Sequence, residues 1–249
     1  MRTLLRLAYD GAPFCGWQIQ PKHRTVQGDL DDALSTLLRQ PIQTMGAGRT
    51  DTGVHAKEMF VHFDCIPELG KGIQDLDQLV HRLNRFLDPA IRIYEAREVQ
   101  RNWHARFDAT ARSYEYILCA SGSPFWRNNA WMVERLPDLA KMNEAAKLLL
   151  TETDFASFCK VGSDNKTTIC NVTRAEWVME GELVTFHITA DRFLRNMVRA
   201  IVGSLYEVGN GKWSVAEFNA RFAQKNRGAM GTSAPAQGLY LTEVTYNNL

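Results

Sequence analysis

The hydrophobic and polar positions of the first hundred residues predict alternating strands and helices. In "RTLLRLAY" (Arg2–Tyr9), the apolar side chains Leu5, Leu7 and Tyr9 fall on one face, as in a strand. From Thr25, a candidate N-cap, apolar residues recur at helical spacing until Pro41. The remaining elements of this half are strands near Ile42–Met45, at Met59–Asp64 and at Ile91–Val99, and a helix between Leu76 and Leu87. The predicted order is βαββαβ.

The second half repeats this order with different residues. Its predicted elements are a strand at Ser113–Ala120, a helix from about Asp138 to Leu150, a hairpin of Thr173–Met179 and Leu183–Ala190, a helix from about Phe193 to Val208 and a last strand at Leu239–Tyr246. A capping box, "SVAE" at Ser214, opens an extra helix. We therefore predict an α+β fold. Two βαββαβ (ferredoxin-like) halves, residues 1–105 and 106–249, join into one large, mainly antiparallel sheet with helices on one face and a central cleft.

Composition indicates a globular protein of the cytoplasm. Of 249 residues, 45% are hydrophobic and 23% are charged, which is typical of soluble domains. The start of the chain has no signal-peptide pattern, and no apolar run approaches the length of a membrane span. Five scattered cysteines form no CxxC pair, so we expect reduced thiols.

Several common sites can be excluded from spacing. The six histidines show no HxxxH or HExxH spacing, and no Cys/His cluster resembles a zinc site. "GAGRTDTG" is not a GxGxxG motif followed by a helix, and "GNGKW" has Trp213 where a phosphate-binding loop needs Ser or Thr. The chain also has no GxSxG motif. We expect no metal and no nucleotide cofactor.

The connection "GAGRTDTGVHA" carries more chemistry than a turn requires. A turn needs a residue with positive φ, but not an arginine and an aspartate two positions apart. Arg49 is a candidate to pair with Asp51 and keep it ionised, and the nearby glycines would let a planar ligand approach the backbone. Asp51 is then a candidate nucleophile or base. The alternative is an aspartate that caps the backbone of its own loop.

Three arginines in "ADRFLRNMVRAIVGSL" form a second candidate group. Arg192, Arg195 and Arg199 would share one face of a helix, beside an apolar stripe. Such a face is often simply solvated. An arginine at the border of the stripe would instead reach a carboxylate, as Arg199 would reach Asp51.

A third stretch, "WHARFDATARSYEY" (Trp103 to Tyr116), interleaves cations with aromatic rings. RNA recognition uses cations for phosphates and flat rings for bases. The alternative is an amphipathic strand whose alternate rings, Tyr114 and Tyr116, face the core. With a formal net charge of +1, RNA binding would require the basic residues to be segregated onto one surface.

Taken together, these stretches closely resemble the TruA-type tRNA pseudouridine synthases. The matching segments are "YDGAPFCGWQIQ", "GRTDTGVHA", "HARFDATARSYEY", "DFASF", "FLRNMVRAIVGSL" and "GLYL". They occur in the family's order and span nearly the whole chain. The GRTD-x-GVHA block is the most specific of them.

The resemblance implies a reaction and a set of residues. Uridine would be converted to pseudouridine in the tRNA anticodon arm, at positions 38 to 40, without a cofactor, and the target base would leave the stack. Asp51 takes the place of the family's essential aspartate and Tyr114 that of its uracil-stacking tyrosine. Arg49, Arg199 and Leu239 take the other substrate-binding places. The resemblance also implies a homodimer whose two subunits share a basic cleft for tRNA.

Two other classes of function remain open at this point. An RNA-binding module without catalysis has little use for a desolvated carboxylate near phosphates, which argues against that reading. A hydrolase with Asp51 as its nucleophile would need a second carboxylate, a metal cluster or a phosphate loop at suitable spacing, and the sequence shows none.

Overall fold

A computed structural model describes residues 1–65, 73–160, 162–163, 166–247 and 249 of the chain. Its helices and strands, in chain order, are β1 (Arg2–Tyr9), α1 (Val26–Leu38), β2 (Met45–Gly46), β3 (His55–Asp64), α2 (Leu76–Phe86), β4 (Ile91–Val99), β5 (Ala109–Cys119), β6 (Trp131–Met132), α3 (Leu139–Lys147), β7 (Val172–Glu180), β8 (Leu183–Ala190), α4 (Met197–Gly209), α5 (Val215–Phe222) and β9 (Leu239–Tyr246). Most strand pairs are antiparallel, so the predicted α+β class is confirmed.

The chain divides into two compact units. The first consists of Met1–Thr110 and Leu241–Leu249, and the second of Ala111–Tyr240. Strand β9 therefore begins in the second unit and ends in the first. No helix in the described ranges is long and apolar enough to cross a membrane.

The sheet of the first unit has one apolar face and one largely polar face, on which Leu4 of β1 is nevertheless fully buried. Its strands follow the order β4-β1-β3-β9, with β2 beside β3. Leu5 of β1 lies opposite Val61 of β3, and both are fully buried on the apolar face. Helix α2 lies against the neighbouring β4, and α1 lies against α2. On the other face, Arg2 and Arg6 of β1 pair with carboxylates of neighbouring strands. This polar face carries the segment that connects β4 to β5.

The second unit is built on strands in the order β5-β8-β7. Tyr116, Phe186 and Trp177 lie opposite one another across the three strands and are buried. Helix α3 is fixed to β7 through Asn143, whose side-chain amide exchanges two hydrogen bonds with the backbone of Trp177 (3.0 and 2.7 Å). Helix α4 is buried over most of its length, so it forms the centre of this unit's core.

Most elements lie where the hydrophobic pattern predicts them. The bounds of β1, α1, β4, β8 and β9 agree with the prediction, and the capping box at Ser214 is present. Strand β3 begins at His55, four residues before its predicted start, and β5 begins at Ala109. The strand predicted near Ile42 is limited to Met45–Gly46, because Thr44 is held by the Asp31 carboxylate, which accepts from both its N–H and its hydroxyl.

The predicted start of α4 at Phe193 is wrong, because the helix begins at Met197. Asn196 has φ +64°, a left-handed conformation that an α-helix does not accommodate. Arg192 and Arg195 precede the helix and do not share a helical face with Arg199. The predicted row of three arginines on one helix therefore does not exist.

Candidate active site

Asp51 lies in the connection between β2 and β3, where a tight turn holds it half-buried. Its carbonyl oxygen accepts a hydrogen bond from the Val54 N–H (3.1 Å). Gly53, inside this turn, has φ +77°, where a side chain would be strained. The hydroxyl of the preceding Thr50 is buried and lies 2.8 Å from that of Tyr9. The backbone on both sides of the aspartate is therefore fixed.

An earlier segment of the chain, residues 11–17, supports this turn. Gly16 approaches it so closely that a Cβ would lie 2.6 Å from the Thr50 carbonyl oxygen. The Trp17 N–H donates to the same oxygen (3.2 Å). At Gly11, a Cβ would overlap the carbonyl group of Val54. The glycines of "YDGAPFCGW" thus let two stretches of backbone meet, which gives this segment a positioning role.

The three glycines of the Asp51 loop have different structural roles. A Cβ at Gly46 would lie 2.8 Å from the ring of Trp17, so this glycine makes room for an internal tryptophan. Gly53 serves the turn. A Cβ at Gly48 would meet no protein atom within 4 Å. Gly48, one of the three glycines predicted to admit a planar ligand, therefore faces open space.

Arg49 does not hold Asp51 in this structure. Its side chain is exposed, and within the described ranges its guanidinium forms no ion pair. The expected pairing of the two residues is therefore not formed. Arg49 lies at the surface of the loop, where its charge is available to solvent, and its substrate-binding role remains a prediction.

Sequence reasoning missed the pair of His55 and Asp10 next to this loop. His55 is buried at the start of β3, and its Nδ1 lies 2.9 Å from the Asp10 carboxylate and 3.2 Å from the Gly11 nitrogen. A proton on Nδ1 favours the carboxylate, whereas an unprotonated Nδ1 accepts from the Gly11 N–H. In both cases the ring ties the N-terminal segment to the strand after Asp51. The signal in the sequence is the presence of both residues in the two family motifs "YDG" and "GVHA".

In the second unit, Tyr114 and Tyr116 of β5 have different environments. Tyr116 is fully buried and its hydroxyl donates to the Pro235 carbonyl (2.8 Å), and burial raises the pKa of its phenol well above the usual range. Tyr114 keeps exposed surface, and its ring packs edge-to-face on Phe193 at 5.0 Å. Tyr116 is a core residue, whereas Tyr114 is only partly buried.

Arg199 is anchored in the first turn of α4. Its Nε–H donates to the Ala234 carbonyl (2.7 Å), and the Ala234 N–H donates to the Arg199 carbonyl (2.9 Å). The segment around Ala234 lies directly against the helix, since a Cβ at Gly203 would overlap the Thr232 carbonyl oxygen. This reciprocal pair fixes where the guanidinium leaves the helix.

Leu239 is buried at the start of β9, with 6% of its surface exposed. The preceding Gly238 fits closely in the same unit, because a Cβ there would lie 2.8 Å from the Tyr116 ring and 2.9 Å from the Ile117 carbonyl oxygen. The close contact with Tyr116 therefore limits where the backbone of Gly238, and so the start of β9, can lie. The first unit contains Arg49 and Asp51, and the second unit contains Tyr114, Arg199 and Leu239.

Comparison with known proteins agrees with these motifs. Residues 145–247 match the family model described as tRNA pseudouridine synthase. Over 248 residues, the chain is 48% identical to tRNA pseudouridine synthase A of Bacteroides thetaiotaomicron, covering 98% of this chain and 90% of the relative. It is 38% identical over 255 residues to the enzyme of the same name from Bacillus licheniformis, with complete coverage of both chains.

A relative from Pseudothermotoga lettingae, also named tRNA pseudouridine synthase A, is 38% identical over 248 residues, covering 98% of this chain and 99% of the relative. The chain belongs to the tRNA pseudouridine synthase family, which consists of isomerases.

Proposed function

We propose that this protein converts uridine to pseudouridine in the anticodon arm of tRNA, at positions 38 to 40, with Asp51 as the essential carboxylate. The observation that carries the proposal is the fixed position of Asp51 within the GRTD-x-GVHA block of a chain that belongs to this family. The relatives' names give tRNA as their substrate.

The reaction breaks the bond between the sugar and N1 of uracil, turns the base and rejoins it through carbon 5. Atoms and electrons balance within the nucleotide, so we expect no cofactor. Asp51 attacks the sugar, attacks the base or removes a sugar proton, and each route needs a deprotonated carboxylate. Holding the backbone on both sides of Asp51 places that carboxylate before the substrate arrives.

The remaining site residues are proposed to receive the target base. Leaving the stack costs a few kcal/mol, which contacts in a pocket must offset. Tyr114, which is only partly buried, is proposed to stack on the base, and Leu239 to form an apolar wall. Arg49 and Arg199 are proposed to supply positive charge for the phosphates of the tRNA.

Three finer features belong to the same proposal. We expect each half to be ferredoxin-like, the protein to act as a homodimer, and the cytoplasm to be its location. The element order β1-α1-β2-β3-α2-β4 of the first half supports the first of these.

The decisive experiment uses tRNA transcripts that contain no modified base. Purified protein is incubated with them without metal or nucleotide, and pseudouridine is mapped by carbodiimide treatment and primer extension. Transcripts with a single uridine at position 38, 39 or 40 test the location. We expect stoichiometric conversion at these positions by the wild type.

Asp51→Asn tests the carboxylate. It should bind the transcript with nearly unchanged affinity and form no pseudouridine, whereas the control Asp77→Asn, at an exposed aspartate of α2, should react like the wild type. Turnover by Asp51→Asn would refute the assignment. Binding without modification by the wild type would favour the RNA-binding module.

A further inference from the structure

The segment Trp103–Asp108, which connects β4 to β5 in the first unit, has an unusually well-fixed backbone. Its Trp103 carbonyl accepts from the Arg2 guanidinium (2.8 Å), and its Ala105 carbonyl accepts from the Tyr246 hydroxyl (2.6 Å). The His104 N–H donates to the Asp108 carboxylate (2.8 Å). Side chains from both ends of this unit's sequence therefore hold six consecutive residues.

Two histidines complete this scaffold as acceptors. The Ala105 N–H donates to Nδ1 of His62 (3.1 Å), and the Arg106 and Phe107 N–H groups donate to Nδ1 of His104 (3.1 and 3.3 Å). A ring nitrogen that accepts must be unprotonated. Burial is the main cause that lowers the pKa of both rings, that of His62 to about 4, so the acceptors are present at neutral pH.

On this fixed backbone, the side chain of Phe107 points outwards. Its residue surface is 74% exposed, and its ring rests on the ring of His104, with centroids 4.2 Å apart at 32°. The Arg106 guanidinium lies 5.8 Å from the Phe107 ring centroid. A supported aromatic ring is thus presented together with a cation.

Exposure of one phenylalanine is ordinary, and Phe86 of α2, 54% exposed, is an example in the same unit. Phe86 ends a helix and lines a shallow groove with Leu37 and the stems of Arg82 and Arg85. Phe107 differs because an immobilised loop carries it. Ordering the ring in advance lowers the entropic cost of binding, which is of use only if something stacks on it.

We propose that Phe107 is a stacking platform for an unpaired base of the substrate RNA, other than the target uridine, and that Arg106 contacts the phosphate next to that base. Aromatic faces and guanidinium groups are the chemistry by which proteins hold unstacked nucleotides. The identity of the ligand as RNA rests on the proposed function. The platform itself rests on the geometry of Trp103–Asp108.

The test compares four variants with the wild type on an unmodified tRNA transcript. Phe107→Ala and Phe107→Leu remove the aromatic face, Phe107→Trp keeps it, and Phe86→Ala is the matched control. The readouts are the Kd for the transcript, the single-turnover rate at saturating protein, and Tm. We expect Phe107→Ala and Phe107→Leu to raise Kd roughly tenfold, as loss of one stacked base does. Phe107→Trp and Phe86→Ala should stay within about twofold.

The saturating rate and Tm should change little in the three Phe107 variants, because the proposed platform holds a base other than the target uridine and little of Phe107 is buried. Wild-type affinity in Phe107→Ala, or in Phe107→Leu, would overturn the platform. If Tm of Phe107→Ala falls, the platform is judged instead by comparing the Kd of Phe107→Leu with the Kd of Phe107→Trp.

The two proposals fail in distinguishable ways. Pseudouridine formation by the wild type, with unchanged Kd in Phe107→Ala, removes the platform and leaves the enzyme. RNA binding that depends on the Phe107 ring, in a wild type that forms no pseudouridine, removes the enzymatic proposal and leaves the platform.

Discussion

Gly11 packs directly on the carbonyl group of Val54, leaving no room for a methyl group between them. This contact joins the N-terminal segment to the far end of the turn that holds Asp51. Gly11→Ala must therefore push the turn away or strain the segment. We expect a loss of about 1–3 kcal/mol in the free energy of unfolding and a lower catalytic rate at saturating tRNA.

Denaturant unfolding and single-turnover kinetics measure both effects of Gly11→Ala. An alanine at Gly122, which has open space around it but φ +70°, controls for the general cost of removing a glycine. Wild-type stability in Gly11→Ala would show that the segment does not support the turn.

Gly48→Ala should separate folding from ligand access. No protein atom lies within 4 Å of the new methyl group, so Tm should stay within about 2 °C of the wild type. If tRNA approaches the backbone of this loop, the methyl group occupies its place, and kcat/KM should fall about tenfold or more. Wild-type kinetics with wild-type Tm would contradict close approach at Gly48.

Tyr114 and Tyr116 should respond in opposite ways. Tyr114→Ala should weaken tRNA affinity and rate because the proposed function assigns its ring to stacking on the target base. Tyr116→Phe leaves the Pro235 carbonyl without its hydroxyl donor, so it should cost about 1 kcal/mol of stability and little activity. Kd, single-turnover rate and Tm for both variants check this. Unchanged kinetics in Tyr114→Ala would assign that ring to the core.

The buried acceptor His62 should make stability depend on pH. Burial lowers its folded pKa to about 4, from 6.5 in an unfolded chain, with His104 and Arg2 acting in the same direction and Asp64 and Asp108 opposing. Between these values the unfolded state binds the extra proton, so the free energy of unfolding falls as pH drops from about 6.5 to about 4. His62→Asn keeps an acceptor for Ala105 and removes the titration.

Thermal unfolding from pH 7.5 to 4.5 tests this expectation. The wild type should lose stability relative to His62→Asn as pH falls, by at most about 3 kcal/mol. Parallel curves for the two proteins would show that His62 does not titrate in this range.

Local pattern predicts much of this fold for a physical reason. Apolar side chains recur at every second residue in parts of β1 and β4, and α1 is bounded by its capping Thr25 and the following Pro41. The start of α4 escapes such reasoning, since the left-handed backbone of Asn196 leaves no trace in the hydrophobic pattern.

Sequence motifs predict the site residues, but contacts with residues far away in the sequence fix their positions. Asp51 stands out in its sequence block, but its support comes from Gly11, Gly16 and Trp17. Gly46 was interpreted as space for a ligand, whereas the ring of Trp17 fills that space. Hydrophobic periodicity relates only residues that are close in sequence. It therefore cannot show which residues far apart in the sequence will be in contact.

The position of β9 has a consequence for how the protein is made. Its last residues complete the first unit, where the Val244 N–H donates to Glu58 of β3 (3.3 Å) and Tyr246 reaches Ala105. During synthesis, residues 1–110 emerge long before these partners exist. Strand β3, which is synthesised early, therefore lacks its neighbour β9 until the second unit has been translated.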